Sequence, residues 1–363
     1  MNIAFFVGEM NLRGVANSTY QYSYYNKLIL KNKSIIFYDK KNTRNNPKVL
    51  KKFKNQFNVI GVNNLEDIDN FKKKFNLEYL YIQKGGKKDK WVSTNIKTIV
   101  HSAYPQRLKE FHGDKYAFVS EWCSSNFSQN KIPYVPYIVK IEKTKEHLKK
   151  KLKINKKQIV LGCHGGDSSF NLKFVQDTLI DIANKRQDLT FLFLNINKFC
   201  KHPRIIFLKG SVDEVYKKKF LNTCDAMIYA RSLGESFGLA CGEFAYLNKL
   251  IISYKFNRHR AHLDQLYHQN FIQYSSRKNL FNILNNLDKK KLFKKRKNKY
   301  TKYNSKMVMK AFKKFFLDNS KSINFSASDY FANYFAHLKM AYYYLRHKIY
   351  NHYYNYIESK IIY

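Results

Sequence analysis

Short apolar runs recur along the chain, and the stretches between them read as turns with helices or exposed loops. Among them are Asn2–Val7 (NIAFFV), Ser34–Asp39, Asn58–Val62, Leu77–Gln83, Thr98–Tyr104 and Tyr116–Trp122. A second series follows: Gln158–Gly166, Leu189–Ile196, Arg204–Gly210, Ala226–Ala230 and Leu250–Tyr254. Continuous apolar runs of this length suit strands buried on both faces. Strands alternating with helices imply parallel sheets covered on both sides. The expected fold class is therefore α/β, and 363 residues suffice for two domains with separate cores.

Between the two series lies KIEKTKEHLKKKLKINKK, Lys140–Lys157. Its charge density marks a domain boundary; a solvated surface helix inside one domain is the other reading. The expected division is residues 1–142, 143–320 and a tail, 321–363. In the first segment, Gly8 and Gly14 flank a turn, and Asn17 or Ser18 is expected to cap a helix beginning near Thr19. No GxGxxG is present. The tail is rich in Tyr and His and reads as one or two helices that pack back on the body. A Tyr-rich helix at a membrane interface is the alternative.

Composition narrows the function. The formal net charge is +41. It reads as a solvated surface in a chain rich in Lys, Asn, Ile, Tyr and Phe, or as attraction to an anionic membrane. No nucleic-acid motif accompanies it, so no specific nucleic-acid partner is expected. Cys123, Cys163, Cys200, Cys224 and Cys241 are scattered and form no CxxC pair, which points to reduced thiols and a cytoplasmic setting. The first residues, MNIAFFVGEM, have no basic n-region and read as a strand rather than a signal peptide.

The chemistry concentrates in Tyr229–Leu250, YARSLGESFGLACGEFAYLNKL. A strand, a polar turn, a helix over Ser236–Leu247 and another strand form a βαβ unit. Glu235 is expected at the helix entrance and Glu243 inside it, about 12 Å further along a helix. Gly234, Ser236, Phe237 and Gly238 would surround a helix N-terminus, which attracts phosphate through its unpaired N–H groups and dipole. A diphosphate held there would direct its two substituents apart, one toward each carboxylate. The blander reading is a carboxylate at a helix N-terminus plus an unrelated Glu.

This segment resembles the donor-binding stretch of retaining glycosyltransferases of the two-domain GT-B fold, family 4 type. Those carry E-S/G-F-G-L-x-x-x-E-A; here the match runs from Glu235 through Phe237, Gly238 and Leu239 to Glu243. GDKYAFVSEWCSSNF, YVPYIV and CHGGDSSFNLKFVQDTLIDIANK resemble segments of a viral and bacterial subgroup of that family. The resemblance implies two Rossmann-like domains whose parallel sheets face across a cleft, an acceptor side first and a donor side second. It implies transfer of a hexose from a nucleotide-diphosphate-sugar to a glycan, polysaccharide or lipid-linked hydroxyl, with retained configuration. In it Glu235 contacts the transferred sugar, Glu243 the ribose, and His101 the sugar from the first domain. Arg13 and Gly14 would face the donor from that domain.

Gly165 and Gly166 stand where the family places its diphosphate glycines, but Cys163 and His164 precede them in place of an Arg. Lys173 and Arg231 are the expected cations for the leaving group. No Asp-x-Asp motif is present, and neither a metal nor a cofactor is implied. A nucleotide-sugar epimerase of the same fold, or a non-catalytic basic binding protein, are the alternatives.

Overall fold

The computed structural model describes residues 1–64, 66–89, 91–267, 270–292, 299–318 and 323–361. The chain divides into two compact units. The first comprises Met1–Ile138 and Lys302–Leu338, and the second Val139–Thr301 and Lys339–Tyr363.

In the first unit, β1 (Asn2–Val7), β2 (Lys33–Asp39), β3 (Asn58–Val62), β4 (Tyr79–Lys84), β5 (Lys97–Ser102) and β6 (Lys115–Phe118) form one sheet. Its order is β3-β2-β1-β4-β5-β6 and every pair is parallel. In the second unit, β7 (Ile159–His164), β8 (Leu189–Leu194), β9 (Ile205–Leu208), β10 (Ala226–Tyr229), β12 (Leu250–Tyr254) and β14 (Phe271–Tyr274) repeat the design. The order there is β14-β12-β10-β7-β8-β9, again parallel throughout. Both sheets have the doubly wound order, each with one point where strand order reverses. A small ladder of β11 (Gly234–Glu235) and β13 (His259–Arg260) stands beside the second sheet. The chain is thus α/β, built from two Rossmann-like units.

Most expected strands lie within two residues of the observed ones, and four local expectations are corrected. The first helix spans Gly14–Leu28 with Arg13 at its N-cap, so it begins a turn before Thr19 and uses neither Asn17 nor Ser18 as cap. The apolar run from Tyr116 does not continue as a strand to Trp122. Ser120 accepts from the Cys123 amide and starts a helix, Glu121–Ser128. The donor-segment helix spans Leu239–Tyr246 rather than starting at Ser236, because Gly234 (φ 70°) and Gly238 (φ 87°) turn the backbone before it. A sixth strand of the second sheet, β14, follows the last apolar run of the second series, Leu250–Tyr254, and has no counterpart among the expected strands. The basic run at Asp288–Lys299 has its centre, 293–298, outside the described residues.

The first unit also takes back a late segment, the helix Ser305–Phe312 and the turn after it. Phe312 and Phe316 pack with Phe5, Tyr22, Tyr81 and His101 in one aromatic core cluster. In this cluster the His101 Nε2–H donates to the Val135 carbonyl at 2.9 Å, and Nδ1 accepts from the Tyr81 hydroxyl at 2.6 Å. The carbonyl can only accept, so this pairing fixes the neutral tautomer. The tail is one long helix, Ala327–Tyr356, with a short turn after it. No described helix is long and apolar enough to cross a membrane.

Two core histidines tie stability to pH. Burial lowers His101 and His262 to about 3 each, whereas an unfolded histidine titrates near 6.5. Below 6.5 the unfolded chain binds protons that the folded chain refuses, so stability falls as pH falls. Each fully buried ring contributes about 1.4 kcal/mol per pH unit in that window. Urea unfolding should show the midpoint dropping from pH 7.5 to 5.5. A flat profile across that range would contradict the buried, neutral rings.

Candidate functional site

In the second sheet strand order reverses between β7 and β10, and open α/β sheets bind ligands at the carboxyl ends of strands at such a point. The sequence delivers its chemistry there. Strand β7 ends in His164, with Gly165 and Gly166 next; β10 runs into Arg231, then the β11 turn and the helix Leu239–Tyr246.

Gly234 makes this turn. A Cβ on it would sit 2.0 Å from the His259 carbonyl oxygen and 2.6 Å from the Asn257 Cβ. The close approach lets His259 N–H donate to the Leu233 carbonyl at 2.7 Å, and it seats Glu235 beside Arg260 in the small ladder. The turn is also tied from below. Asn257 donates to the Arg231 carbonyl at 2.6 Å, and Asn171 exchanges two hydrogen bonds with Ser232, at 2.8 and 3.0 Å.

Glu235 is one quarter exposed at its side chain. Its Oε1 accepts from the Tyr229 hydroxyl at 2.6 Å and from Arg231 at 2.9 Å. Tyr229 is buried; desolvation first, then the Glu235 charge, raise its hydroxyl well above the usual range, so it stays a donor. After burial, the same Glu235 charge also pushes up the Cys163 and Cys241 thiols. Ser236 and Phe237 are buried, and the Phe237 ring meets the edge of Tyr300 at 6.0 Å. The first hydrogen bond of the following helix runs from the Gly242 N–H to the Gly238 carbonyl at 2.8 Å, so the amides of Leu239 and Ala240 precede the ladder.

Glu243 is only 4% exposed. Lys217 Nζ lies 2.5 Å from Oε1 and His164 Nε2 lies 2.8 Å from Oε2. Burial alone pushes this carboxyl up; Lys217, then His164, outweigh it and bring the group down to about 2. Lys217 is shifted the opposite way. Desolvation lowers it, but Glu243 and Glu214 outweigh that and hold it protonated. Neighbouring rings complete the wall, with His164 stacked near Phe244 at 6.0 Å.

One set of expected residues is therefore gathered in the second unit: Arg231, Gly234, Glu235, Ser236, Phe237, Gly238, Leu239 and Glu243. Gly165 and Gly166 lie at the end of β7, where the Ser169 hydroxyl accepts from the Gly166 amide at 2.9 Å. The Lys173 side chain turns to Asp177 of its own helix and is 62% exposed. In the first unit, Arg13 and Gly14 open the Gly14–Leu28 helix, and Gly14 has open space where a side chain would be. His101 is wholly buried with both ring nitrogens engaged by protein groups.

The sequence reading did not single out Lys217 or Tyr229. Lys217 sits in a run of three lysines with nothing to distinguish the one turned inward. Tyr229 reads as one more apolar strand residue. His164 stands in sequence where an Arg is expected, and its pairing with Glu243 comes from the fold.

No protein-family model and no curated protein sequence matches the chain. Solved structures do. A glycosyltransferase from Rickettsia africae ESF-5 is similar at a TM-score of 0.56 and 14% identity, over 95% of this chain and 98% of that one. HepE of Anabaena, solved with UDP and glucose, is similar at a TM-score of 0.60 and 13% identity, over 94% of this chain and 99% of that one. A UDP-N-acetylglucosamine 2-epimerase is similar at a TM-score of 0.53 and 9% identity, over 90% and 99%. The chain shares the GT-B architecture of these proteins. At such identities the likeness concerns fold.

Two outcomes test the site's construction. Gly234→Ala should destabilise the protein by about 2–4 kcal/mol, from left-handed backbone strain plus overpacking, read as a lower urea midpoint. Lys217→Met should cost roughly 3 kcal/mol, because it strands a buried carboxylate, and adding Glu243→Leu should recover most of it. If the double variant is as unstable as the single, Glu243 does not depend on Lys217.

Proposed function

We propose that the protein is a glycosyltransferase. It moves a hexose from a nucleotide-diphosphate-sugar to a hydroxyl of a glycan or lipid-linked acceptor, with retained configuration. The observation that carries this reading is the pair Glu235 and Glu243 at the reversal point of the second sheet, on either side of a glycine-turned helix N-terminus. A quarter-exposed and a buried carboxylate separated by backbone donors fit the two ends of a nucleotide-sugar.

In this reading the diphosphate lies against the Leu239 and Ala240 amides, favoured by the helix dipole. Glu235, oriented by Tyr229 and Arg231, accepts from sugar hydroxyls. Glu243 accepts from the ribose hydroxyls, and the ligand's donors take over part of what His164 and Lys217 supply. During transfer, the bond from the anomeric carbon to the donor phosphate oxygen breaks. A bond to the acceptor oxygen forms on the same face, and the acceptor proton passes to the departing phosphate oxygen. The helix amides and Arg231 stabilise the charge that develops on that oxygen. Lys173 joins this set if it leaves Asp177. His101 belongs to the supporting core, and Arg13 and Gly14 to the first unit's open edge.

The same architecture serves an epimerase, so activity must separate the two readings. A panel of nucleotide-diphosphate-sugars should yield glycosyl transfer or slow donor hydrolysis, with the product's anomeric configuration matching the donor's by proton NMR. Interconversion of donors without release of nucleoside diphosphate would favour epimerisation. Glu235→Gln should lower kcat by about 100-fold or more with little change in donor affinity, the mark of an interaction stronger in the transition state. Glu243→Gln should instead weaken donor binding by about tenfold, measured by calorimetry on variants whose folding is checked by thermal unfolding. Equal and negligible effects would sink the assignment of roles.

A further inference from the structure

Helix Ala327–Tyr356 is amphipathic with its faces reversed. Met340 aside, the side chains turned to the body in the second unit's part are polar or aromatic with a polar tip: His347, Tyr350 and Tyr354. Tyr354 donates to Asp177, and the Tyr350 hydroxyl accepts from the Arg277 amide at 2.7 Å. The solvent face of the same part carries Tyr342, Leu345, Ile349, Tyr353 and Tyr356, exposed by 43 to 65%. Their spacing of three and four places them on one stripe of a helix. The first unit's part repeats the reversal by itself. Asp329 and Asn333 are buried, while Phe331, Tyr334, Phe335 and Leu338 are exposed by 45 to 66%.

Single exposed apolar residues are ordinary, but an aligned stripe of them marks a surface that meets something. The charges beside it indicate what. From Tyr330 to Ile357 the sequence contains Lys339, Arg346 and Lys348 and no Asp or Glu. Arg346 donates to the Tyr342 hydroxyl at 3.2 Å, which places this cation at the border of the stripe, and Lys348 is exposed on the same helix. A chain of net charge +41 repels a second copy of itself and is drawn to an anionic surface. Tyrosine is suited to the region between headgroups and acyl chains, where its ring is buried and its hydroxyl wet.

We propose that the exposed stripe of this helix docks flat on an anionic lipid bilayer, its Leu, Ile and Tyr side chains entering the headgroup boundary while the flanking cations meet lipid phosphates. This goes beyond the transfer reaction and does not depend on it. Docking of this kind takes both apolar burial and charge.

The full chain is tested by flotation with phosphatidylcholine vesicles, with and without phosphatidylglycerol. Binding is expected only with the anionic lipid. The variant Leu345→Ser/Ile349→Ser/Tyr353→Ser should lose at least tenfold in vesicle affinity with an unchanged thermal midpoint, since those side chains are exposed. In a separate variant, Ile349→Trp, the indole emission should shift to the blue on adding anionic vesicles. If the triple variant binds as the parent does, charge alone is responsible and the proposal fails. It fails equally if the parent sediments as a dimer without lipid and the triple variant as a monomer, because the stripe would then pair two copies.

Discussion

Glu243 is a carboxylate held out of water, and the fold around it is arranged to keep it charged. Two nitrogen donors reach it from separate elements, the His164 ring at the end of β7 and the Lys217 ammonium from the helix Glu214–Thr223. Taking a carboxylate into a low-dielectric interior costs several kcal/mol unless it is paired. Removing either partner leaves that cost exposed. The group therefore links the first strand of the second sheet, a surface helix and the helix Leu239–Tyr246 in one electrostatic contact. Such an arrangement stores a charged acceptor whose partners a ligand with hydroxyl donors can replace.

Glu235 follows a different logic. It stays partly open to solvent, and its direction comes from backbone geometry rather than burial. Gly234 and Gly238 allow the chain to double back against His259 and then enter a helix. Tyr229 and Arg231 fix one carboxylate oxygen. One Glu is set by electrostatics and the other by a turn, and both lie where the strand order reverses. That is the edge at which a doubly wound sheet leaves room for a ligand.

The architecture was legible because buried parallel strands need continuous apolar runs, and those survive in sequence even with lysines crowding between them. Boundaries failed where a local polar group overrode the pattern. Ser120 ended a strand by capping a helix, and two glycines postponed the helix after Glu235. β14 was missed because its sequence, FIQY, is short and interrupted by a polar residue at an edge of the sheet. In the site, spacing identified the two carboxylates, but their partners come from distant segments. Nothing in the sequence around Lys217 distinguishes it from Lys218 and Lys219, which turn to Glu142 and Glu146. Charge composition was equally silent about the tail: it gave the excess of cations, and only the helix shows which face they border.

The central claim is that a nucleotide-diphosphate-sugar is held at the second unit's sheet edge, between Glu235 and Glu243. Amide hydrogen exchange with and without UDP-glucose reads this directly. Slowed exchange should be confined to the end of β7 and its glycines, 164–166, and to the turn and first helical residues, 231–243. Absence of protection in both segments under every nucleotide-sugar tried, or protection limited to the first unit, would contradict it.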